Sequence, residues 1–219
     1  MRETMFVLPP GTTLRSLIEE LLPEMHRTLV PKTESGRYTV AVTLSARNGA
    51  DAFELAVNGG EVKASRGGSD GGDVALWVDA AIAQAFLDDW AGPGRFRPKF
   101  VPKAGPTAPT DPRLLKRVAM ASGVFELALT DFPLEGRKTR AAIRIALGAA
   151  GKKVLDQDTK VDVTLETTVA TYERLLAGEV PPEEALDHPD VAVRGKRFIA
   201  MQAALALAPW LTNAEKQGG

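Results

Sequence analysis

The stretch of sequence that decides the fold runs from Val161 to Leu207 and reads VDVTLETTVATYERLLAGEVPPEEALDHPDVAVRGKRFIAMQAALAL. Its patterns predict a strand, an amphipathic helix capped by Thr167 or Thr168, a Pro-started helical turn, a short strand and an apolar helix. The spans are 161–165, 168–178, 181–186, 191–193 and 196–208, with Gly178 as the left-handed residue that ends the first helix. The pattern is typical of strands and helices that enclose an apolar space. It contains no set of residues arranged for catalysis.

The composition excludes several functional classes. The chain has 219 residues, of which 44% are hydrophobic and 25% charged, and its net charge is -1. This is a soluble globular composition. The near-neutral charge and the lack of a basic face make nucleic acid an unexpected partner. Cysteine is absent, which excludes disulfides and thiolate sites and fits a reducing cytoplasm. The longest apolar stretch, Phe198–Leu211, is too short for stable membrane insertion.

The first part of the chain predicts one helix, four strands and a second helix. The helix starts at a Thr12 or Thr13 cap and extends to about Thr28, and Pro23 is expected to kink it or end it early. Alternating apolar residues predict strands at 38–44, 53–57, 62–64 and 74–78. Asp79 is the predicted cap of a helix over 80–90. The Gly-rich segment 67–72 leads into a strand, so we interpret it as a hairpin loop and not as a phosphate-binding loop.

The region 91–112 changes character, because six prolines fall in it with several basic residues. It is either an extended connector or a long loop held against the surface. The sequence therefore predicts a half at 1–92, a connector at 93–111 and a second half at 112–219. The second half predicts a helix to about Ala121, strands at 124–130 and 139–147, a turn at 131–136 and a weak strand at Val154-Leu155.

The two halves contain a similar motif. Asp73-Val74-Ala75-Leu76 and Asp162-Val163-Thr164-Leu165 each lead into a helix. The first copy extends over Arg37–Trp90 and the second over Thr139–Gly178. This order of elements predicts an internal repeat.

The C-terminal third resembles the sterol carrier protein family of lipid-binding domains. The motifs are Asp162-Val163-Thr164, Leu175-Leu176-Ala177-Gly178, Pro182-Glu183-Glu184-Ala185 and Val191-Ala192-Val193-Arg194-Gly195. The N-terminal half resembles only the strand portion of that family. The resemblance implies an α+β fold, with a mixed or antiparallel sheet covered by helices and an apolar tunnel between the layers. It also implies a lipid ligand, with no metal, no cofactor and no catalytic residues.

The candidate ligand-binding residues lie on the last strand–helix unit and the terminal helix: Leu165, Val169, Tyr172, Leu175, Leu176, Phe198, Met201, Gln202 and Leu205. Each is either a wall of a lipid pocket or part of an ordinary packed core. Tyr172, Gln202 or Arg194 are candidates to hold a polar head group.

The predicted function is non-catalytic binding or transfer of an acyl, sterol-like or isoprenoid ligand. The alternative is an interaction module whose core is filled by its own side chains. An enzyme is not expected, because no nucleophile, base and orienting group can be assembled. His188, between Asp187 and Pro189-Asp190, is interpreted as part of a surface turn and not as a metal ligand. The oligomeric state stays open.

Overall fold

The computed structural model describes residues 8–9, 11–29, 36–46, 49–67, 71–96, 116, 120–177, 179–180 and 182–202. These residues form one mixed sheet of eight strands. The strands are β1 (Arg37–Ala46), β2 (Gly49–Asn58), β3 (Glu61–Arg66), β4 (Val74–Asp79), β5 (Gly123–Leu134), β6 (Arg137–Leu147), β7 (Val163–Thr167) and β8 (Ala192–Gly195). Their order across the sheet is β3-β2-β1-β4-β6-β5-β7-β8. The predicted α+β class is confirmed.

Helices at 14–29, 80–91, 169–176 and 197–202 contribute to apolar clusters on one face of this sheet. The first, α1, has three parts: Leu14–Ser16, a π-helical turn at Leu17–Leu21, and Leu22–Leu29. The others are α2 (Ala80–Ala91), α3 (Val169–Leu176), the short α4 (Pro182–Ala185) and α5, residues 197–202. A 3-10 turn, Gly148–Lys152, follows β6.

The helix caps follow from local sequence. The Asp79 carboxylate accepts hydrogen bonds from the amides of Ala81 and Ile82, at 2.8 and 3.2 Å, so the predicted cap of α2 is confirmed. Of the paired alternatives, Thr13 caps α1 through a capping box with Ser16, and Thr168 caps α3.

Of the two alternatives for Pro23, an early end of the first helix is wrong, since the helix continues to Leu29. The π turn comes directly before the proline, and its last hydrogen bond joins the Leu22 amide to the Leu17 carbonyl. A π turn widens the helix by one residue. This widening accommodates a ring that would otherwise clash with the preceding turn.

Two further predictions on the second half need correction. Val154-Leu155 is not a strand but part of a loop, and Leu155, only 1% exposed, packs against Ala41, Ala75 and Val124. The predicted turn at 131–136 is shorter, because β5 continues to Leu134 through an irregularity between Leu129 and Phe132. An extra residue of this kind lets a strand keep pairing while it bends.

Several predictions fall outside the described residues. These are most of the helix that ends near Ala121, the connector beyond Phe96, the Gly178 helix end and the terminal helix beyond residue 202. The domain boundaries stay a prediction. The structure does show that β4 and β6, from different predicted halves, pair along five residues.

Each half contains a parallel strand pair anchored by an aspartate. β1 is parallel to β4, and β5 is parallel to β7. Before β4, Asp73 exchanges two hydrogen bonds with Thr39: its amide donates to the Thr39 carbonyl and its carboxylate accepts from the Thr39 amide, both at 2.8 Å. Before β7, Asp162 does the same with Val124, at 2.9 and 3.0 Å. The motif that the sequence repeats thus makes the same contacts twice.

Both sheet faces bury apolar side chains, and the face with the cluster of Ala41, Ala75, Val124, Ala146 and Leu155 also buries a charge. Buried apolar clusters lie beneath the helices on one face, which we call the helix face. On the other, Glu126 is 5% exposed and its carboxylate accepts from Arg140 and Arg144 at 2.5 and 2.9 Å. Burial raises the pKa of Glu126, but the two arginines outweigh it and the pKa lies below its usual value. The Glu126 carboxylate can stay ionised while buried because both arginines pair with it.

Replacing Asp162 tests the aspartate anchor. Asp162→Ala leaves the amide of buried Val124 without its acceptor and Lys196 without its partner at 2.7 Å. We expect the free energy of unfolding to fall by about 1–3 kcal/mol in urea denaturation. Asp158→Ala is the control, because that carboxylate is exposed. Equal stability of the two variants would contradict the anchor.

The same site predicts a pH dependence. Hydrogen bonds from Lys196 and from the Val124 amide hold the pKa of Asp162 below its ordinary 3.8, against partial burial. A lowered folded-state pKa stabilises the fold above the ordinary value, and this contribution is lost as the pH falls through the lowered pKa. The stability difference between wild type and Asp162→Asn should therefore shrink on acidification below pH 3.8. A difference that is independent of pH would exclude this linkage.

Candidate ligand-binding site

An aromatic cluster packs α2 and α3 onto the end of the sheet. The ring centroid of Phe86 lies 4.8 Å from those of Phe96 and Phe132, and Phe96 lies 5.5 Å from Phe132 and 6.3 Å from Tyr172. These separations are typical of packed aromatic pairs. The same cluster contains Leu129, Ala141, Val169 and Leu176. Three predicted site residues, Val169, Tyr172 and Leu176, are therefore brought together.

A buried carboxylate holds the backbone of Phe96 in place beside the aromatic cluster. Asp89, 6% exposed, accepts from the Phe96 amide at 2.8 Å and from Arg95 Nε at 3.1 Å. The Arg95 guanidinium also lies 5.2 Å from the centre of the Phe96 ring. Asp89 thus fixes the chain after α2 so that Phe96 fills the space between α2 and α3.

A second cluster, the terminal-helix cluster, packs α5 onto the other end of β5 and β7. Its buried members are Ala121, Phe125, Leu147, Val163 and Ala200. Ile199 on α5 and Leu165 on β7 pack against it while partly exposed. The inner surface of α5 is therefore formed by Ile199 and Ala200.

Between the two clusters, a row of apolar side chains crosses five adjacent strands without being buried. Strand register places Val78 opposite Ile143, Ile143 opposite Leu127, Leu127 opposite Leu165, and Leu165 opposite Val193. Residues opposite each other in this way share a sheet face. All five side chains are partly exposed. We call this row, Val78, Ile143, Leu127, Leu165 and Val193, the central strip.

The rows on either side of the central strip contain more buried residues. On the side of the aromatic cluster, Ala141 and Leu129 are each 2% exposed and Thr167 is 4% exposed. On the other side, Phe125 and Val163 are buried under the terminal-helix cluster, whereas Leu76 and Ile145 in the same row are partly exposed. At β5 and β7 the central strip is therefore an apolar floor with a packed wall along each edge.

The structure separates the predicted site residues into groups. Leu165 lies on the floor, Val169, Tyr172 and Leu176 lie in the wall formed by α3, and Leu175 is partly exposed on the same helix. Phe198 and Met201 are 68% and 48% exposed, so these two do not line the layer between helix and sheet. Gln202 is partly exposed, and Leu205 lies outside the described residues.

Sequence reasoning missed four of the five floor residues: Val78, Ile143, Leu127 and Val193. Their alternation was visible, since it predicted strands β4, β5 and β6. This alternation shows which residues of one strand lie on the same face of the sheet. Which row of that face the helices leave partly exposed depends on register between strands and on helix placement, and neither is local in sequence.

A separate small cavity lies between β1, β2, β4 and the loop that contains Leu155. It encloses about 30 Å³ among Ala41, Val42, Phe53, Ala75, Leu155 and their neighbours. That volume has room for a water molecule or two and not for a lipid chain. It contains none of the predicted site residues.

The remaining polar candidates are engaged in structural contacts. His188 Nδ1 accepts from the Asp190 amide at 3.2 Å, and Asp187 pairs with Arg197, as expected for a surface turn. Within the described ranges, no group of three or more metal-ligating side chains is arranged to hold an ion. None of the described helices is both long enough and apolar enough to cross a membrane.

Comparisons with known proteins give a partial likeness in structure. No protein-family model matches the sequence, and no curated protein matches it. Among solved structures, the chain is similar to the sterol carrier protein domain 2 of Helicoverpa armigera, at 18% identity and a TM-score of 0.35, covering 49% of this chain and 79% of that one. It is also similar to sterol carrier protein 2 from Yarrowia lipolytica in its apo form, at 14% identity and a TM-score of 0.31, covering 60% and 95%. Both belong to the family that the motifs resemble.

Comparing a buried phenylalanine with an exposed one tests how the aromatic cluster and α5 pack against the sheet. Phe132 is 1% exposed and stacks on Phe86, whereas Phe198 is 68% exposed. Phe132→Ala should lower the free energy of unfolding by about 3–5 kcal/mol, because it opens a cavity in the aromatic cluster. Phe198→Ala should change it by less than about 0.5 kcal/mol. Similar losses in the two variants would show that α5 packs in another way.

Proposed function

We propose that this protein binds an apolar ligand, such as an acyl, sterol-like or isoprenoid chain, along the central strip. The single observation that supports the proposal is the row of five partly exposed apolar side chains, four of them on interior strands and Val193 on the edge strand β8. Interior strands normally bury such side chains on the face that carries the helices. A chain lying over the strip would complete that burial between the aromatic and terminal-helix clusters.

The energy of such binding is sufficient without specific polar contacts. Each buried methylene contributes about 0.8 kcal/mol. About ten methylenes would give about 8 kcal/mol, which corresponds to a dissociation constant near 1 µM. Since association also costs translational and rotational freedom, chains of more than ten carbons are the expected ligands.

The proposed role is carriage and not catalysis. The floor consists of Val, Ile and Leu side chains, which supply neither nucleophile nor base. The lack of cysteine suits a reducing cytoplasm. Transfer would require the ligand to enter and leave by a change in how the helices cover the strip.

A second candidate is an interaction module whose layer is closed by its own side chains. The observation that favours it is the aromatic cluster, in which Phe86, Phe96, Phe132 and Tyr172 fill the space beneath α2 and α3. The two candidates differ in whether space exists above Leu127 and Ile143.

We further propose that the two halves are related copies of one unit, of which the second carries most of the site. The matching hydrogen bonds of Asp73 and Asp162, and their matching lysine partners at 2.6 and 2.7 Å, support this relation. Four of the five strip residues lie in the second half, and only Val78 lies in the first.

Filling the strip tests the proposal. A fluorescent sixteen-carbon alcohol should bind the wild type with micromolar or tighter affinity, and Ile143→Trp should weaken its binding by at least about tenfold, because the indole would occupy the space of the chain. Ala56→Trp is the control. Ala56 is an exposed residue of β2, and it lies on the face of the sheet opposite the helix face. Solvent extraction of the purified protein, followed by mass spectrometry, should yield a lipid.

Stability distinguishes the second candidate. If the layer is already filled, Ile143→Trp overpacks it and should lower the free energy of unfolding by about 1–3 kcal/mol. Loss of stability together with no lipid and no probe binding would overturn the lipid-binding proposal.

A further inference from the structure

Tyr172 presents a phenol without a hydrogen-bond partner in the wall beside the central strip. Its ring packs with Phe96 and with the cluster that contains Leu129 and Ala141. Those two residues are next to Leu127 and Ile143 on the same face of β5 and β6. Among the described residues, the Tyr172 hydroxyl makes no hydrogen bond, whereas a phenol in such a setting usually has one.

The other polar groups near the strip are already satisfied. Thr167, in the row beside the strip, donates to the Asp190 carbonyl at 2.9 Å. Arg194, a sequence candidate for a head-group contact, pairs with Glu166 at 2.9 Å and projects from β8 on the face opposite Val193. Of the described polar groups in this wall, the Tyr172 hydroxyl is therefore the one left for a ligand.

We infer that Tyr172 anchors the head of the ligand and that the ligand is a neutral apolar molecule with one oxygen that accepts a hydrogen bond, such as a long-chain alcohol, ester or sterol-like alcohol. This inference rests on the proposed function. It deepens that function by naming the head-group chemistry the site selects.

The charges around the cluster favour a neutral head over a carboxylate head. A buried carboxylate requires a cation partner. The nearby cations each have an acidic partner: Arg95 pairs with Asp89 at 3.1 Å, Lys138 with Asp131 at 3.9 Å, and Arg174 with Glu179 at 3.4 Å. Burial also raises the pKa of Tyr172, so the phenol remains a hydrogen-bond donor at physiological pH.

The test compares three twelve-carbon ligands, dodecanol, dodecanoate and dodecane, by displacement of a fluorescent alkyl probe. The wild type should bind dodecanol most tightly. Tyr172→Phe should weaken dodecanol about 3–10-fold, the size expected for one neutral hydrogen bond, and leave dodecane unchanged. Tyr38→Phe is the matched control, because Tyr38 is the protein's other tyrosine, lies on β1 away from the strip, and has its pKa raised by burial to about 12. It should change neither ligand.

Thermal unfolding supplies a second readout. Removing an unpaired phenol oxygen should leave the melting temperature of Tyr172→Phe unchanged or higher, and a clear drop would mean that the hydroxyl bonds within the protein and would overturn the anchor. Equal weakening of dodecanol and dodecane, or tighter binding of dodecanoate than of dodecanol by the wild type, would also overturn it while leaving lipid binding intact. Failure of the wild type to bind all three ligands would overturn the proposed function itself.

Discussion

The antiparallel ladder between β4 and β6 is the interaction on which the rest of the structure depends. It pairs Val74 with Leu147 and Val78 with Ile143, and so joins strands from both halves of the chain in one sheet. Without this ladder, each half would expose a long strand edge and an uncovered apolar face. With it, the helix face is continuous from β1 to β8, and the central strip can cross five strands without a break.

Helices α2 and α3 occupy equivalent places relative to the parallel pairs beside that ladder. Each begins directly after the second strand of a parallel pair, α2 after β4 and α3 after β7. The aspartates that open these strands tie them to β1 and β5. Both helices then meet at the aromatic cluster, where Ile82 and Phe86 of α2 pack with Val169 and Leu176 of α3. Apolar packing is therefore concentrated at one end of the sheet, and α5 covers the other.

Local sequence patterns were sufficient to predict the helices and strands. They did not predict which rows of residues on the sheet the helices bury. The caps at Asp79 and Thr168 and the strands β4 and β7 follow from short-range signals, and so does the membership of Val169, Tyr172 and Leu176 on one helical stripe. Leu155 was misassigned because two apolar residues in a loop look like a strand until the sheet beneath them is known. Phe198 and Met201 were expected to line the site, but helical period alone does not show whether a largely apolar helix turns Phe198 or Ile199 toward the sheet. The floor residues Leu127 and Ile143 became visible only from the register of β5 against β6.

The partial exposure of Leu127 and Ile143 is the property that a functional account of this protein has to explain. The two residues lie opposite each other on interior strands, and in the adjacent rows Phe125, Leu129 and Ala141 are buried while Ile145 is partly exposed. Covering their side chains completely would be worth roughly 1–2 kcal/mol each, and selection for stability alone would favour a larger residue above them. Phe96, held by Asp89, already fills the neighbouring space, so the chain can deliver aromatic side chains into this layer. A row left partly exposed beside packed residues, next to a Tyr172 phenol that bonds to none of the described residues, is the surface on which the proposed ligand would supply the missing apolar contacts.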